Sequence, residues 1–109
     1  MSIPEAFVVT RYFETDARRD IDAIVALFSD EAVVVDEGQT YQGSEAIRGW
    51  REGAASAYQY TTQVDDTKRF DEKSYLVTGR LTGNFPGGAA ELQWRFTVQN
   101  DLVSRLEID

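Results

Sequence analysis

Residues 90–98 alternate without a fault. Ala90, Leu92, Trp94, Phe96 and Val98 fall on one side, and Glu91, Gln93, Arg95, Thr97 and Gln99 on the other. A period of two describes a half-buried strand with one apolar and one polar face. Its neighbours read the same way. Ser74 to about Asn84 forms a strand, Phe85-Pro86-Gly87-Gly88 a hairpin turn, and Asn100-Asp101 turns the chain into a last strand, Leu102 to Ile108. Tyr58, Tyr60, Thr62 and Val64 alternate with Gln59, Thr61 and Gln63 in an earlier strand. Long strands joined by tight turns predict an antiparallel meander filling the second half of the chain.

The first half follows another period. Ser2-Ile3-Pro4-Glu5 has the chemistry of a helix start, with Ser2 as cap and Glu5 completing a capping box. Ala6, Val9, Phe13 and Ala17, with Val8 and Tyr12 beside them, then recur at helical spacing. Asp20 caps a second helix whose apolar stripe is Ile21, Ile24, Val25 and Phe28, with Ser29-Asp30 ending it. Ala32 to Asp36 is a short strand, and Gln39 to Gln42 a brief extended piece after a turn at Gly38. Gly43-Ser44 opens a third helix that turns Ala46, Ile47, Trp50, Ala54 and Ala57 inward. Helices segregated to one face of an antiparallel sheet make an α+β fold. No linker or repeat interrupts the 109 residues, so the expectation is one domain over 1–109.

Composition removes several classes of chemistry. Without cysteine there is no disulfide framework and no thiolate, which suits a reducing, cytoplasmic setting. Without histidine, acid–base work falls to Asp, Glu, Tyr, Lys or Arg. The formal charge of -8 repels phosphate backbones, so nucleic acid is not an expected partner. MSIPEAF lacks a basic segment followed by an apolar run, so no signal peptide is expected, and no apolar stretch reaches membrane-spanning length. The acidic pairs Asp30-Glu31, Asp65-Asp66 and Asp71-Glu72 read as solvated turns, because none has the spacing of a calcium loop; no metal site is expected.

RYFETDARRDIDAIVALFSDEAVVVDEG followed by YQGSEAIRGW resembles the start of the nuclear transport factor 2-like superfamily, near its SnoaL-like and ketosteroid isomerase branch. The shared pattern is an Arg-Tyr helix, D-x-D-x-I-V-A-L-F, a strand ending in Asp, and G-x-x-A-I-R. The likeness runs from about Val9 to Trp50. It implies an NTF2-like, cystatin-like cone: three N-terminal helices packed on a curved, mostly antiparallel sheet around a pocket. It also implies a homodimer through the sheet, for instance with Glu91 against a second copy's Arg95.

Carried over residue by residue, the isomerase branch places its hydrogen-bonding tyrosine at Tyr12 and its base at Asp36. Glu37 would alternate away into solvent. Ketosteroid isomerase, a familiar case of tuned carboxyls, also relies on a second, protonated acid, which the resemblance places on a late strand. Alternation puts that position on Trp94, or on Leu92 one register step earlier, and neither is an acid. Loss of one such oxyanion donor typically costs about 10²–10³ in rate. Phe28, Trp50, Tyr60, Trp94 and Phe96 would line the pocket wall, suiting a small hydrophobic molecule, or would simply fill a core.

Asp36 thus has two readings. It is a base in an apolar pocket, or a strand-terminal residue that hydrogen-bonds the turn before Gly38. The chain accordingly has two functional readings: an isomerase or cyclase that moves a proton beside a carbonyl without metal or redox cofactor, or a ligand-binding or dimerisation module without chemistry. A scytalone dehydratase-like site needs histidines. A limonene epoxide hydrolase-like site needs an Asp-Arg-Asp set, for which Arg80 or Arg95 would have to serve without a second late-strand Asp.

Overall fold

The computed structural model describes residues 4–53 and 59–109. The order is α1 (Pro4–Ala17), α2 (Ile21–Ala26), β1 (Phe28–Asp36), β2 (Gln39–Gln42), α3 (Ser44–Glu52), β3 (Tyr60–Arg69), β4 (Ser74–Gly83), β5 (Ala89–Gln99) and β6 (Leu102–Ile108). The strands form one curved sheet in the order β2-β1-β6-β5-β4-β3. Every pairing is antiparallel except β1 with β6. This is the α+β cone that the resemblance implies, with α1 against β5 and β6 and α3 against β1 and β2.

The alternation of β5 becomes one wall of the core. Trp94, Phe96 and Val98 are buried, opposite Val77 and Tyr75 of β4 and Leu106 and Val103 of β6. Their polar alternates face out. There Arg80 pairs with Glu91 and Arg95 with Asp109 of the same chain, all four exposed. Two glycines on the inner side of β4, Gly79 and Gly83, sit where β3 presses closest: a Cβ on either would collide with the backbone carbonyl of Gln63 or Gln59. A bulge in β3 between Val64 and Asp66 accompanies that approach. It leaves Val64, aligned by period with Tyr60, 43% exposed.

Three expectations need correction. The second helix stops at Ala26, and Phe28 to Glu31 belong to β1. Phe28 pairs with Val103, and the Val103 N–H reaches the Leu27 carbonyl at 2.8 Å, so the sheet rather than a helical stripe buries this ring. A short apolar run fits either period, and the partner strand decides. Asp30-Glu31 and Asp65-Asp66 accordingly lie in strands rather than in turns. The inner stripe of α1 is Val8, Val9, Tyr12, Thr15 and Asp16, with Ala17 exposed. Ser2, Ala54, Ala57 and Tyr58 lie outside the described residues.

Local chemistry sets the junctions. Arg19 closes α1 in a left-handed conformation (φ 56°), and the Asp20 carboxylate then accepts the Ala23 N–H at 3.2 Å to start α2. Glu37 and Gly38 both take positive φ (53° and 77°), the geometry of a two-residue hairpin turn whose twist matches its strands. That turn pairs Asp36 with Gln39 and sets Asp36 at the rim of the sheet. No described helix is long and apolar enough to cross a membrane.

Candidate functional site

A cavity of about 630 Å³ opens between the helices and the inner face of the sheet, within the usual range for small-molecule pockets. Its apolar wall comes from β4, β5 and β6 through Leu81, Ala90, Leu92, Trp94 and Ile108. Phe85 and Pro86 of the β4–β5 turn lie at its edge.

Of the residues expected at the pocket, Tyr12, Asp36, Trp50, Tyr60 and Trp94 line this cavity together. Phe28 and Phe96 do not. They lie behind it in the core, edge-on to the Tyr12 ring with centroids 6.3 and 5.4 Å away. Edge-to-face contacts of this kind help to seat the tyrosine ring in the core. Both positions where the isomerase branch would carry a second acid, Trp94 and Leu92, are part of the apolar wall. Trp94 packs edge-on against Phe13 at 5.1 Å.

Asp36 is half-buried. Its Oδ2 accepts a hydrogen bond from the Trp50 indole Nε1–H at 3.0 Å, so the side chain reaches across to α3 rather than down into its own turn. Trp50 is 1% exposed and is supported by the Tyr41 ring at 6.2 Å. An indole has a single donor. It engages one carboxylate oxygen, Oδ2. Glu37 is exposed at the rim.

Across the cavity stands a group absent from the sequence-level expectations. Asp16 and Arg51 are 5% and 2% exposed and form a buried ion pair through Arg51 Nη2 and Asp16 Oδ1. The Tyr60 hydroxyl donates to the same Oδ1 at 2.9 Å and accepts from Arg51 Nη2 at 3.4 Å. The Arg19 guanidinium lies 4.3 Å over the Tyr60 ring and donates to the Tyr60 carbonyl at 3.3 Å, fixing that ring from behind. Helical spacing was the available signal. Asp16 is four residues after Tyr12, and Arg51 four after Ile47, so each shares the buried face of its helix.

The electrostatics follow from burial. Desolvation pushes the Tyr12 pKa far above its ordinary value, with Arg51 opposing and Asp16, Tyr60 and Asp36 adding to the rise. Burial raises the Tyr60 pKa too, again against Arg51. Burial works against the Arg51 charge, but Tyr12, Asp16 and Tyr60 outweigh it, and the guanidinium pKa ends above its usual range. At neutral pH both phenols therefore keep their protons, the Tyr60 O–H being donated to Asp16, and Arg51 keeps its charge. Among the described residues no group of three or more His, Cys, Asp or Glu could hold a metal ion.

No curated protein sequence matches the chain. Among solved structures, a Sinorhizobium meliloti protein proposed to be a polyketide cyclase is 35% identical, with 94% of this chain and 93% of that chain covered and a TM-score of 0.88. A Mycobacterium tuberculosis protein in complex with estradiol-17β-hemisuccinate is 16% identical, covering 98% and 93%, at a TM-score of 0.83. An epoxide hydrolase/cyclase-like enzyme of pyran ring formation in salinomycin is 20% identical, covering 95% and 88%, also at 0.83. The last two share the fold alone. Residues 9–105 match the SnoaL-like domain, and with that match spanning nearly the whole chain, this protein belongs to the SnoaL-like domain family.

Proposed function

We propose that this protein is an isomerase or cyclase that moves a proton beside a carbonyl group of a small hydrophobic substrate, with Asp36 as base and Tyr12 as hydrogen-bond donor. The observation that carries this reading is that Asp36 and Tyr12 line one largely apolar cavity, with the carboxylate held from one side only by Trp50. Asp36 Oδ1 takes a proton from the carbon next to the carbonyl. The C–H electron pair forms a C=C bond, the C=O π pair moves onto oxygen, and the Tyr12 O–H holds the resulting enolate oxygen. Isomerisation is completed when Asp36 returns the proton to a different carbon. In a substrate with a second carbonyl, the enolate carbon can instead attack that carbonyl carbon. A C–C bond then closes a ring, and the second oxygen collects the proton.

The raised Tyr12 pKa is consistent with this assignment, since the hydroxyl keeps its proton beside carboxylates. The apolar wall excludes water from the enolate, and a low-dielectric site strengthens the donor. The 35% identical polyketide cyclase candidate supports a carbonyl-rich substrate class. The chain's own chemistry uses no metal or redox step in this scheme. A homodimer through the outer sheet face belongs to the same reading, and the mass in solution checks it.

The test is turnover of planar enones and β-dicarbonyl compounds by wild type and Asp36→Asn, alongside phenol binding. The expected result is loss of turnover with phenol binding retained or strengthened, because Asn mimics the protonated base. Equal turnover in both proteins would remove Asp36 from the chemistry. Phenol binding with no turnover by wild type would leave a ligand-binding module.

A further inference from the structure

The cavity lacks an acid on β5, so the proposed enolate has only Tyr12 to hold it from that side. Meanwhile a cation, paired with a buried aspartate, stands in the cavity wall. A buried ion pair is often no more stabilising than apolar residues of the same volume, because desolvation offsets the attraction. The Asp16–Arg51 pair is nearly fully buried and nonetheless lies on the wall of the pocket, not in the solid core. Arg51 is the single cationic residue among the described lining residues.

The last turn of α3 connects the two halves of the site. Trp50 donates to Asp36, and its neighbour Arg51 donates to Asp16, with the guanidinium carbon 5.1 Å from the Trp50 ring. Asp16 in turn sits one helical turn beyond Tyr12 on α1. Consecutive residues of one helix thus orient the carboxylate base and place a positive charge on the tyrosine side.

We infer that Arg51, held in place by Asp16 and Tyr60, is a positioning residue that supplies the positive potential for the anionic oxygen bound by Tyr12, in the role that an acid on β5 would otherwise fill. This rests on the reading of Asp36 and Tyr12 above. Two hydrogen bonds to one oxygen of Asp16 fix the geometry, one from the guanidinium and one from the Tyr60 hydroxyl. The titratable groups acting on Arg51 are Tyr12 and Asp16 of α1 and Tyr60 of β3; Asp36, Glu37 and Asp109 line the same cavity. Arg51 opposes the burial-driven rise of the Tyr12 pKa and does so more strongly than its partner Asp16 adds to it, the expected order for a cation facing that hydroxyl. Within a site whose burial disfavours an anionic oxygen, Arg51 is the group that favours one, in an apolar ring system such as an enolate or its phenolate analogue.

The experiment follows the ionisation of a bound nitrophenol by its visible absorbance. Its background is the full-length Asp36→Asn chain, where the base is neutral. The apparent pKa of bound nitrophenol in this background is the reference, and the expected result is that it depends on Arg51. Replacing the ion pair by a neutral one, Asp16→Asn with Arg51→Gln, should lower the bound phenolate-to-phenol ratio by about tenfold, one unit in the apparent pKa of the probe. Arg51→Lys should keep most of the preference. A folded double variant with unchanged phenolate preference overturns the inference and leaves Asp36 and Tyr12 untouched. If the double variant does not fold, Tyr12→Phe in the same background decides. Residual phenolate preference there belongs to Arg51, and its complete loss overturns the inference. Folded wild type and Asp36→Asn that bind no phenol overturn the reading of the site itself.

Discussion

The cavity holds two aspartates in opposite situations. Asp16 is sealed in, and its Oδ1 takes hydrogen bonds from a guanidinium and a phenol. Asp36 is half-buried at the rim and bonded to one indole N–H through Oδ2. A carboxylate oxygen that takes two hydrogen bonds on a buried face, one from a cation, is fixed in position. One with a single neutral donor keeps an oxygen for a ligand. The same side chain therefore serves as scaffold on α1 and as candidate reagent on β1, and the neighbours make the difference.

The largest expected effect is on the reagent. Asp36→Asn should lower turnover by about 10²–10⁴, the usual contribution of a positioned base. It should change stability by less than about 1 kcal/mol, because the Asn carbonyl can still accept the Trp50 N–H. Steady-state rates and denaturant unfolding of the same preparation measure both. The scaffold should respond in reverse. Arg51→Met leaves Asp16 buried without its counter-ion and should cost about 3–5 kcal/mol of stability. Adding Asp16→Leu removes the stranded charge and should restore most of the loss, a strongly non-additive pair. A double variant as unstable as Arg51→Met alone would mean that the pair contributes packing, not charge compensation.

Legibility in the sequence divides along the same line. Asp36 could be placed because β-branched residues ending in Asp-Glu-Gly mark a strand running into a turn, and Tyr12 because the resembling helix carries an Arg-Tyr pair. The β half followed from alternation, since the side-chain period of a strand is visible whatever its partners. Asp16 and Arg51 were hidden because a charged residue in a run such as ETDARRD reads as solvated. Only a partner 35 residues away makes its burial tolerable. Long-range pairing also moved Phe28 from a helical stripe into β1. Phe96 and Phe28 went behind the cavity for another reason: period shows which face a residue takes, not how deep the neighbouring tyrosine lies.

Alkaline pH gives a smaller, graded probe of the sealed end. Tyr12 and Tyr60 both have pKa values above the usual 10.0, chiefly through burial. The folded state thus holds these protons more tightly than the unfolded state. Their contribution is complete below about pH 10, where both states are protonated. Above it the unfolded chain ionises first, so stability falls as pH rises toward the folded-state values. Tyr12→Phe should flatten the decline seen in unfolding midpoints above pH 10. It should not alter the midpoint's slope near neutrality. An unchanged alkaline slope would place the Tyr12 hydroxyl in contact with water.

The smallest effect comes from a second Arg–Asp pair on the same helix. Arg48 of α3 meets Asp22 of α2 at 2.7 Å, but the side chains are 42% and 85% exposed. Water screens the attraction and two long side chains lose freedom to keep it, so such pairs contribute about 0–1 kcal/mol. Asp22→Ala should therefore cost less than about 1 kcal/mol, and less still at high salt. The contrast with the Arg51–Asp16 pair tests burial, because both pairs join an arginine of α3 to an aspartate of another helix. A large loss at Asp22 would show that the α2–α3 junction, and not the sealed pair, keeps α3 seated over the cavity. The control would then have to be moved to the exposed Arg80–Glu91 pair on the far side of the sheet, 3.0 Å apart and remote from α3.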